Sequence, residues 1–135
     1  MPLKLEANQK ATVTSPFGPR SFDGFHYGTD FVTGSDATRI IAAADGEVII
    51  SDNTTDTLGY AEMVVIKHSD TLYTSYAHLK AGSRTVKVGD KVKQGDELGT
   101  IGMTGKVTGV HLHFEVGRWG SGGMQDRVDP MTVIK

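Results

Sequence analysis

Histidine and carboxylate side chains fall into two short patterns in this chain of 135 residues. The first is His26-Tyr-Gly-Thr-Asp30, and the second is His111-Leu-His113-Phe-Glu115. Imidazole nitrogens and carboxylate oxygens are ligands that Zn²⁺ accepts, and a catalytic zinc usually keeps three protein ligands and a water. Because the chain contains no cysteine, any metal must be held by His, Asp or Glu. Together the two patterns predict a zinc hydrolase.

The second pattern is typical of a β-strand with one polar and one apolar face. Side chains two residues apart point to the same face of a strand, so His111, His113 and Glu115 share one face. The apolar residues between and after them share the other face, which we expect to pack on the core: Leu112, Phe114 and Val116. Two imidazoles on one face suit two roles, one binding the metal and the other acting on water or substrate.

The first pattern is predicted to lie on a strand as well. Gly28 disfavours a helix, and His26 and Asp30, four residues apart, would face the same way on a strand. The pattern therefore differs from the helical H-E-x-x-H arrangement, in which a glutamate beside the first histidine is the base.

The two remaining histidines are interpreted differently. His78, in Tyr76-Ala-His78-Leu79, adds a third candidate group for the predicted site. His68 lies at a predicted turn before a strand, and we expect it to be hydrogen-bonded or exposed and not to be a ligand. Glu115 is open to two interpretations of equal weight: it orients a metal ligand, or it is a plain surface carboxylate.

Length and charge bound the class of protein. A chain of this size is one domain with room for a hydrophobic core, and we divide it into an N-terminal arm, residues 1–10, predicted to be loose, and a domain, residues 11–135. The formal net charge of −2 argues against a dedicated nucleic-acid binder. The sequence contains no run of about 18 apolar residues, so no membrane span is predicted. No signal peptide is visible in this chain.

The local patterns predict a mostly β domain of short antiparallel strands. β-Branched and aromatic residues are concentrated in Gly46–Ser51, Glu62–Lys67 and Thr71–Tyr76, with turn signals between them. No window shows helical periodicity over three turns. The 17 glycines fit many tight turns.

A short repeat follows these strands. Val86-Lys-Val-Gly-Asp90 and Val92-Lys-Gln-Gly-Asp96 are six residues apart and resemble turns of biotinyl- or lipoyl-type carrier barrels. The lysines of this region (Lys87, Lys91 and Lys93) lack the flanking residues of a modified carrier lysine. We interpret the repeat as successive turns of the fold, and a carrier domain as the least favoured function.

Longer motifs join these patterns. They are Ser15-Pro-Phe-Gly-Pro-Arg20, His26-Tyr-Gly-Thr-Asp-Phe31, Ala43-Ala-Asp-Gly-Glu-Val48, Tyr76-Ala-His-Leu79, Val88-Gly-Asp-Lys-Val-Lys-Gln-Gly95, Gly99-Thr-Ile-Gly102, Gly109-Val-His-Leu-His-Phe-Glu115 and Val128-Asp-Pro130. In this combination the chain resembles the lysostaphin-type zinc endopeptidases (the LytM domain), β-rich enzymes that cut the peptide part of bacterial peptidoglycan. The resemblance runs from about Thr14 to Ile134.

The resemblance implies roles for five side chains. His26, Asp30 and His113 would be the ligands of one zinc ion, and His78 and His111 the catalytic pair. Which histidine of the pair acts as base is left open. Two positions depart from the family pattern: Val110 stands where proline often precedes the H-x-H strand, and no tyrosine just upstream of His26 matches one that some members use near the scissile bond.

The implied substrate is a peptidoglycan peptide, cut in a crosslink or stem with Gly or Ala beside the scissile bond. Glycines on both sides of the H-x-H strand would leave a narrow groove, although they could also serve only turns: Gly102, Gly105, Gly109, Gly120, Gly122 and Gly123. We expect a monomer acting outside the cell or in the cell wall, secreted or delivered within a lysin or phage particle.

Two further functions compete with this one. Some LytM-like proteins have lost site residues and regulate other hydrolases, so a non-lytic module that binds wall peptides or activates a hydrolase is the first alternative. The five intact positions argue against it. The second is a zinc D-alanyl carboxypeptidase, which the lack of a separate glutamate base near the second ligand pair disfavours.

Overall fold

The computed structural model describes residues 2–4, 11–20, 24–26, 28–53, 61–103, 110–120 and 123–132. The described residues form short β-strands and a single 3₁₀ turn at Pro130–Thr132. The strands, in chain order, are β1 (Leu3–Lys4), β2 (Thr12–Ser15), β3 (Gly18–Arg20), β4 (Gly24–His26), β5 (Thr29–Val32), β6 (Arg39–Ile41), β7 (Gly46–Asn53), β8 (Glu62–Ser69), β9 (Leu72–Ala77), β10 (Lys91–Val92), β11 (Glu97–Thr100), β12 (Leu112–Gly120) and β13 (Gly123–Val128). None of the helices in this part of the chain is long and apolar enough to cross a membrane.

The largest sheet has the strand order β10-β7-β8-β9-β12-β5-β2, with β13 paired to β12 beyond the end of β5. A second sheet has the order β1-β6-β11, and β3 and β4 form a hairpin of their own. Every strand pair among the described residues is antiparallel. The prediction of a mostly β, antiparallel domain is confirmed.

The three segments predicted as strands are β7, β8 and β9, which pair in succession. Both ends of each strand lie within two residues of the predicted ends. Their β-branched and aromatic side chains suit a pleated sheet that is covered on its faces. In β8, the run Glu62–Ile66 is buried on both faces, so it forms a central strand of the sheet.

The apolar face of β12 packs on the main core. Leu112, Phe114 and Val116 are fully buried there, and the ring of Phe114 lies 5.2 Å from that of Tyr76 between centroids. The other members of this cluster come from several strands and the loops between them: Leu3, Phe31, Ile40, Ala42, Val48, Val64, Ile66, Leu79, Val92, Leu98 and Ile101. The predicted alternation along the strand is therefore confirmed, with His113 and Glu115 on the opposite face.

A second, smaller cluster contains Met63, Val65, Tyr73, Ala77 and Met124. Ala77 pairs with His113, and Met63 pairs with Ala77. Since paired residues point to the same side of a sheet, this cluster lies on the histidine face of β12. Apolar side chains therefore pack on both faces of the sheet, and the smaller cluster lies on the same face as His113.

Part of the predicted N-terminal arm is paired and not loose. Leu3 pairs with Ile40 in β6, and the carbonyl of Pro2 accepts a hydrogen bond from Ile41 N. The Leu3 side chain is apolar and is buried in the main core. The segment as a whole is polar, so its composition did not indicate that this residue packs on the core. Residues 5–10 lie outside the described part of the chain, and the division into arm and domain stays a prediction.

The repeat of the sequence forms two matching turns. In the first, Asp90 Oδ2 accepts a hydrogen bond from Lys87 N, and in the second Asp96 Oδ2 accepts one from Lys93 N. The glycine before each aspartate has a positive φ, 96° and 92°, a conformation that glycine adopts without a Cβ penalty. The interpretation of the repeat as turn architecture is confirmed.

Candidate active site

His113 lies in the strand through which the site is assembled. In the register of the sheet it is paired with Asp30 of β5 on one side and with Ala77 of β9 on the other. His78 follows Ala77, and His111 precedes β12 in an isolated bridge with Gly102. Pairing of β5, β9 and β12 therefore brings together four of the five predicted site residues, which are far apart in sequence.

Both ring nitrogens of His113 face carboxylates. Nδ1 lies 2.8 Å from Asp30 Oδ1, and Nε2 lies 2.8 Å from Glu115 Oε2. The other oxygen of Glu115 accepts a hydrogen bond from Arg127 Nε. Glu115 is 1% exposed, and the only other buried charged residue among the described ones is Glu62, so Glu115 is not a surface carboxylate. The first of its two predicted interpretations fits this placement.

These contacts perturb the pKa of both groups. Burial lowers the pKa of His113, but the hydrogen bonds and charges of Asp30 and Glu115 outweigh it and raise the pKa to about 9. Burial raises the pKa of Glu115, but His113 and Arg127 together hold the pKa below its ordinary value. The imidazolium bridges two carboxylates, so positive charge is favoured between Asp30 and Glu115.

The rings of His78 and His111 lie close to this pair. The ring centroid of His78 is 5.5 Å from that of His111 and 6.1 Å from that of His113. His111 Nε2 lies 4.0 Å from Asp30 Oδ1, and His111 N donates a hydrogen bond to Gly102 O. Three imidazoles and a carboxylate therefore share one partly exposed cluster.

His26 ends β4, but its side chain lies outside the described part of the structure. The prediction that His26 and Asp30 share one strand is wrong: β4 ends at His26 and β5 begins at Thr29. The reason is hydrogen bonding, because His26 pairs with Gly18 of β3 whereas Asp30 pairs with β12. The two residues belong to different sheets.

Gly28, between these strands, lies directly against the site. A Cβ at this position would be 2.7 Å from His113 Cε1, 2.7 Å from Phe114 O and 2.8 Å from Glu115 Cγ. Only glycine allows the backbone to approach so closely. Sequence reasoning used Gly28 to disfavour a helix and missed this contact.

His68 is outside the cluster and is hydrogen-bonded, as expected. Its Nδ1 lies 2.7 Å from Asp45 O and its Nε2 lies 2.8 Å from Thr74 Oγ1. The ring joins β8 to the loop before β7 and to β9. It has a structural role.

The donors of the cluster suit a zinc ion, which accepts imidazole and carboxylate ligands. His113 Nδ1 and Asp30 Oδ1 already face each other with a positive charge between them, where a cation could replace the shared proton. Within the described residues, no group of three His, Asp or Glu side chains forms a complete metal site. The predicted set needs His26 as its third member.

Two open cavities are lined in part by Val110, which precedes His111. One of about 280 Å³ is lined in part by Lys80, Gly102 and Met103, and one of about 500 Å³ by Val32 and the Gly34–Asp36 loop. Both include Asp36 and Val110 in their lining, so open space borders the residue before His111.

Two of the glycines predicted to shape a groove are in close contact with the chain itself. A Cβ at Gly102 would lie 2.3 Å from Lys80 N, and one at Gly120 would lie 3.1 Å from Gln125 Oε1. Close packing explains these two positions without a groove. Gly105, Gly109 and Gly122 lie outside the described residues.

Known proteins resemble this chain in sequence. It is 44% identical over 109 residues to the peptidoglycan DD-endopeptidase ShyC of Vibrio cholerae. The aligned region covers 76% of this chain and 24% of ShyC. It is 36% identical over 94 residues to the murein hydrolase activator NlpD of Escherichia coli, covering 70% of this chain and 23% of NlpD. The chain thus spans about a quarter of the length of these relatives.

A solved structure resembles it in fold. The catalytic domain of the antimicrobial peptidase lysostaphin from Staphylococcus simulans superimposes with a TM-score of 0.76 at 29% identity, covering 93% of this chain and 92% of that domain. The sequence pattern of peptidase family M23 matches residues 24–130. The match includes all five predicted site positions, and the chain belongs to peptidase family M23.

Proposed function

We propose that this chain is a zinc-dependent endopeptidase that hydrolyses peptide crosslinks or stems of bacterial peptidoglycan, in lysis or remodelling of the cell wall. The observation that carries the proposal is the contact between His113 Nδ1 and Asp30 Oδ1, with the rings of His78 and His111 beside it. Membership of a peptidase family supports it.

In this proposal His26, Asp30 and His113 hold one zinc ion. Zinc bound there would polarise the scissile carbonyl and lower the pKa of a water. Asp30 and His113 contribute a carboxylate and an imidazole that already face each other. Gly28 keeps the chain between His26 and Asp30 close to the ring of His113.

His78 and His111 carry the proton transfers. An imidazole can accept a proton from the attacking water and later donate one to the departing amine, because its pKa lies near neutral pH in the absence of perturbation. The two rings lie side by side, and His111 is near the carboxylate of Asp30. A protonated ring can also donate a hydrogen bond to the oxyanion that develops on the carbonyl.

The proposed substrate is a peptide with Gly or Ala beside the scissile bond, bound in the open space near His111. Names of relatives support a peptidoglycan substrate: ShyC is a peptidoglycan DD-endopeptidase, and lysostaphin is an antimicrobial peptidase. We place the activity outside the cell or in the cell wall, with the protein acting as a monomer.

The alternative is a non-lytic module that activates another hydrolase. NlpD, at 36% identity, is named a murein hydrolase activator, so likeness at this level does not separate the two functions. The clustered side chains of Asp30, His78, His111 and His113 favour the enzyme.

Digestion of purified peptidoglycan tests the proposal. We expect new free amino groups without new reducing sugar ends, and loss of the reaction after chelation of zinc. His78→Ala and His111→Ala should each lower the rate by about 10²- to 10⁴-fold, as expected for loss of a general acid or base, while zinc content stays near that of the wild type.

His68→Ala is the matched control, since the His68 ring is outside the cluster and its nitrogens are hydrogen-bonded to Asp45 O and Thr74 Oγ1. It should keep its activity at a temperature where circular dichroism shows it folded. Reducing ends without amines would reject the endopeptidase. A wild-type protein that binds zinc and releases no amines would favour the activator.

A further inference from the structure

We propose that Arg127 is a positioning residue that acts through Glu115 to fix the orientation of the His113 ring, so that Nδ1 faces Asp30. This inference rests on the proposed function, in which His113 is a metal ligand. It assigns a role to a residue of β13, outside both histidine patterns.

Hydrogen bonds connect Arg127 to His113 through the two oxygens of Glu115. Glu115 Oε2 lies 2.8 Å from His113 Nε2, and Glu115 Oε1 accepts from Arg127 Nε. A carboxylate has no proton to donate, so His113 Nε2 must carry the hydrogen. The other ring nitrogen, Nδ1, faces Asp30 at 2.8 Å. A ligating histidine commonly donates its other N–H to a carboxylate in this way, which sets the ring orientation.

Burial makes this carboxylate depend on its partners. The Glu115 side chain is only 2% exposed, and a buried charge is costly unless it is paired and hydrogen-bonded. Glu115 forms ion pairs with His113 and Arg127. Without Arg127, one oxygen of Glu115 loses its charge partner, and Glu115 is no longer held in one orientation toward His113.

An irregularity of the sheet brings Arg127 to this position. Between the pairs Val116↔Val128 and Arg118↔Gln125 the register shifts, so two residues of β13, Asp126 and Arg127, face the single residue Gly117. Bulges of this kind redirect side chains.

The contacts at the bulge are close. A Cβ at Gly117 would lie 2.5 Å from Gln125 O and 3.2 Å from Arg127 Cα, and Asp126 has a φ of 49°. The positive φ of Asp126 is a strained backbone conformation, which a regular hairpin would not require at this position.

The same hairpin supplies a matched control. Arg118 Nη1 lies 3.7 Å from Asp126 Oδ2, and these side chains are 57% and 70% exposed. Exposed ion pairs contribute little to stability. Removal of Arg118 therefore changes charge by the same amount on the same hairpin without touching Glu115.

The test measures metal binding by the whole chain, independently of catalysis. Zinc affinity is measured by competition with a chromogenic chelator, and the visible spectrum of the Co²⁺-loaded protein reports ligand geometry. Arg127→Met should weaken zinc binding about 10- to 100-fold, the usual cost of losing a group that orients a ligand, and should change the Co²⁺ spectrum. Arg118→Met should leave both within about twofold of the wild type, because exposed pairs are weak.

A double-mutant cycle shows whether Arg127 acts through Glu115. Glu115→Gln keeps the shape of the side chain and should weaken zinc binding; in that background Arg127→Met should add little. If Arg127→Met has its full effect in the Glu115→Gln background, or none in the wild type, the inference is overturned. Should Arg127→Met not fold, Arg127→Lys replaces it in the cycle, with a smaller loss expected and the same outcomes decisive.

The result also separates this inference from the proposed function. A wild-type protein that takes up neither Zn²⁺ nor Co²⁺ overturns both. Metal binding that Arg127→Met and Arg127→Lys leave unchanged overturns only the role of Arg127.

Discussion

The backbone of His78 has a φ of 63°, in the left-handed region that residues other than glycine seldom occupy. The residue directly follows β9, and its ring lies beside those of His111 and His113. Strain of this kind costs on the order of 1–3 kcal/mol and is found where the surrounding structure enforces it. At His78 it accompanies the turn of the chain that brings the ring into the cluster.

Gly28 is where a single added methyl group should disturb the site. Gly28→Ala would place a Cβ 2.7 Å from His113 Cε1 and 2.8 Å from Glu115 Cγ, closer than real contacts allow. Overpacking of this kind typically costs about 1–3 kcal/mol. We expect a lower thermal unfolding temperature and, if His113 binds zinc, weaker zinc binding in the chelator assay.

Gly82→Ala is the control for this change. Gly82 has a φ of 74° with open space around it, so alanine there strains the backbone without touching the site. It should lower stability by about 1 kcal/mol and leave zinc affinity unchanged. Equal zinc affinity in wild type and Gly28→Ala would show that the ring of His113 moves aside without consequence.

At the level of the strand, local alternation was enough to predict which face of β12 is polar, since the period of two is a property of the strand alone. It was not enough for His26 and Asp30, because four-residue spacing does not reveal that β4 and β5 hydrogen-bond in different sheets. The contact of Arg127 with Glu115 depends on a bulge, which spacing in the sequence does not encode. Residue type and resemblance therefore predicted the site residues, and the alternation along the strand offered Glu115 as one possible support, but nothing in the sequence indicated Arg127.

Tyr76 joins β9 to the loop after β6. Its hydroxyl accepts hydrogen bonds from Ala43 N at 3.0 Å and from Thr74 Oγ1 at 2.9 Å. Burial raises the pKa of Tyr76 to about 12, so the phenol stays protonated across the neutral range. The Tyr76 ring is therefore buried in the core while its hydroxyl is hydrogen-bonded to the loop after β6.

Tyr76→Phe should destabilise the fold, because it removes the acceptor of a backbone N–H. Leaving a buried donor without a partner costs about 1–3 kcal/mol. Urea unfolding should show a lower midpoint with an unchanged slope. Tyr73→Phe removes a hydroxyl that makes no hydrogen bond within the described part of the chain, so it should have a smaller effect. An equal loss in both variants would mean that the Tyr76 hydroxyl is not the cause.

For the whole molecule, composition and turn signals predicted the fold class but not the strand order. The largest sheet places β12 between β9 and β5, which are adjacent to it in space but distant in sequence. Such pairings are set by how the strands bury their faces together, and local patterns carry little information about them. The candidate site depends on this order, since β5 supplies Asp30 and β12 supplies His113.

Leu3 tests how far the stability of the domain depends on its first strand. The side chain is 2% exposed and belongs to the main core, and β1 completes the sheet with β6 and β11. Leu3→Ala should reduce the free energy of unfolding by about 2–5 kcal/mol, the range for a buried leucine. Lys4→Ala, the adjacent exposed position of the same strand, should change it by less than about 0.5 kcal/mol. Urea denaturation of the two variants and the wild type measures both values; a loss at Leu3 no larger than that at Lys4 would mean that β1 adds pairing but no core.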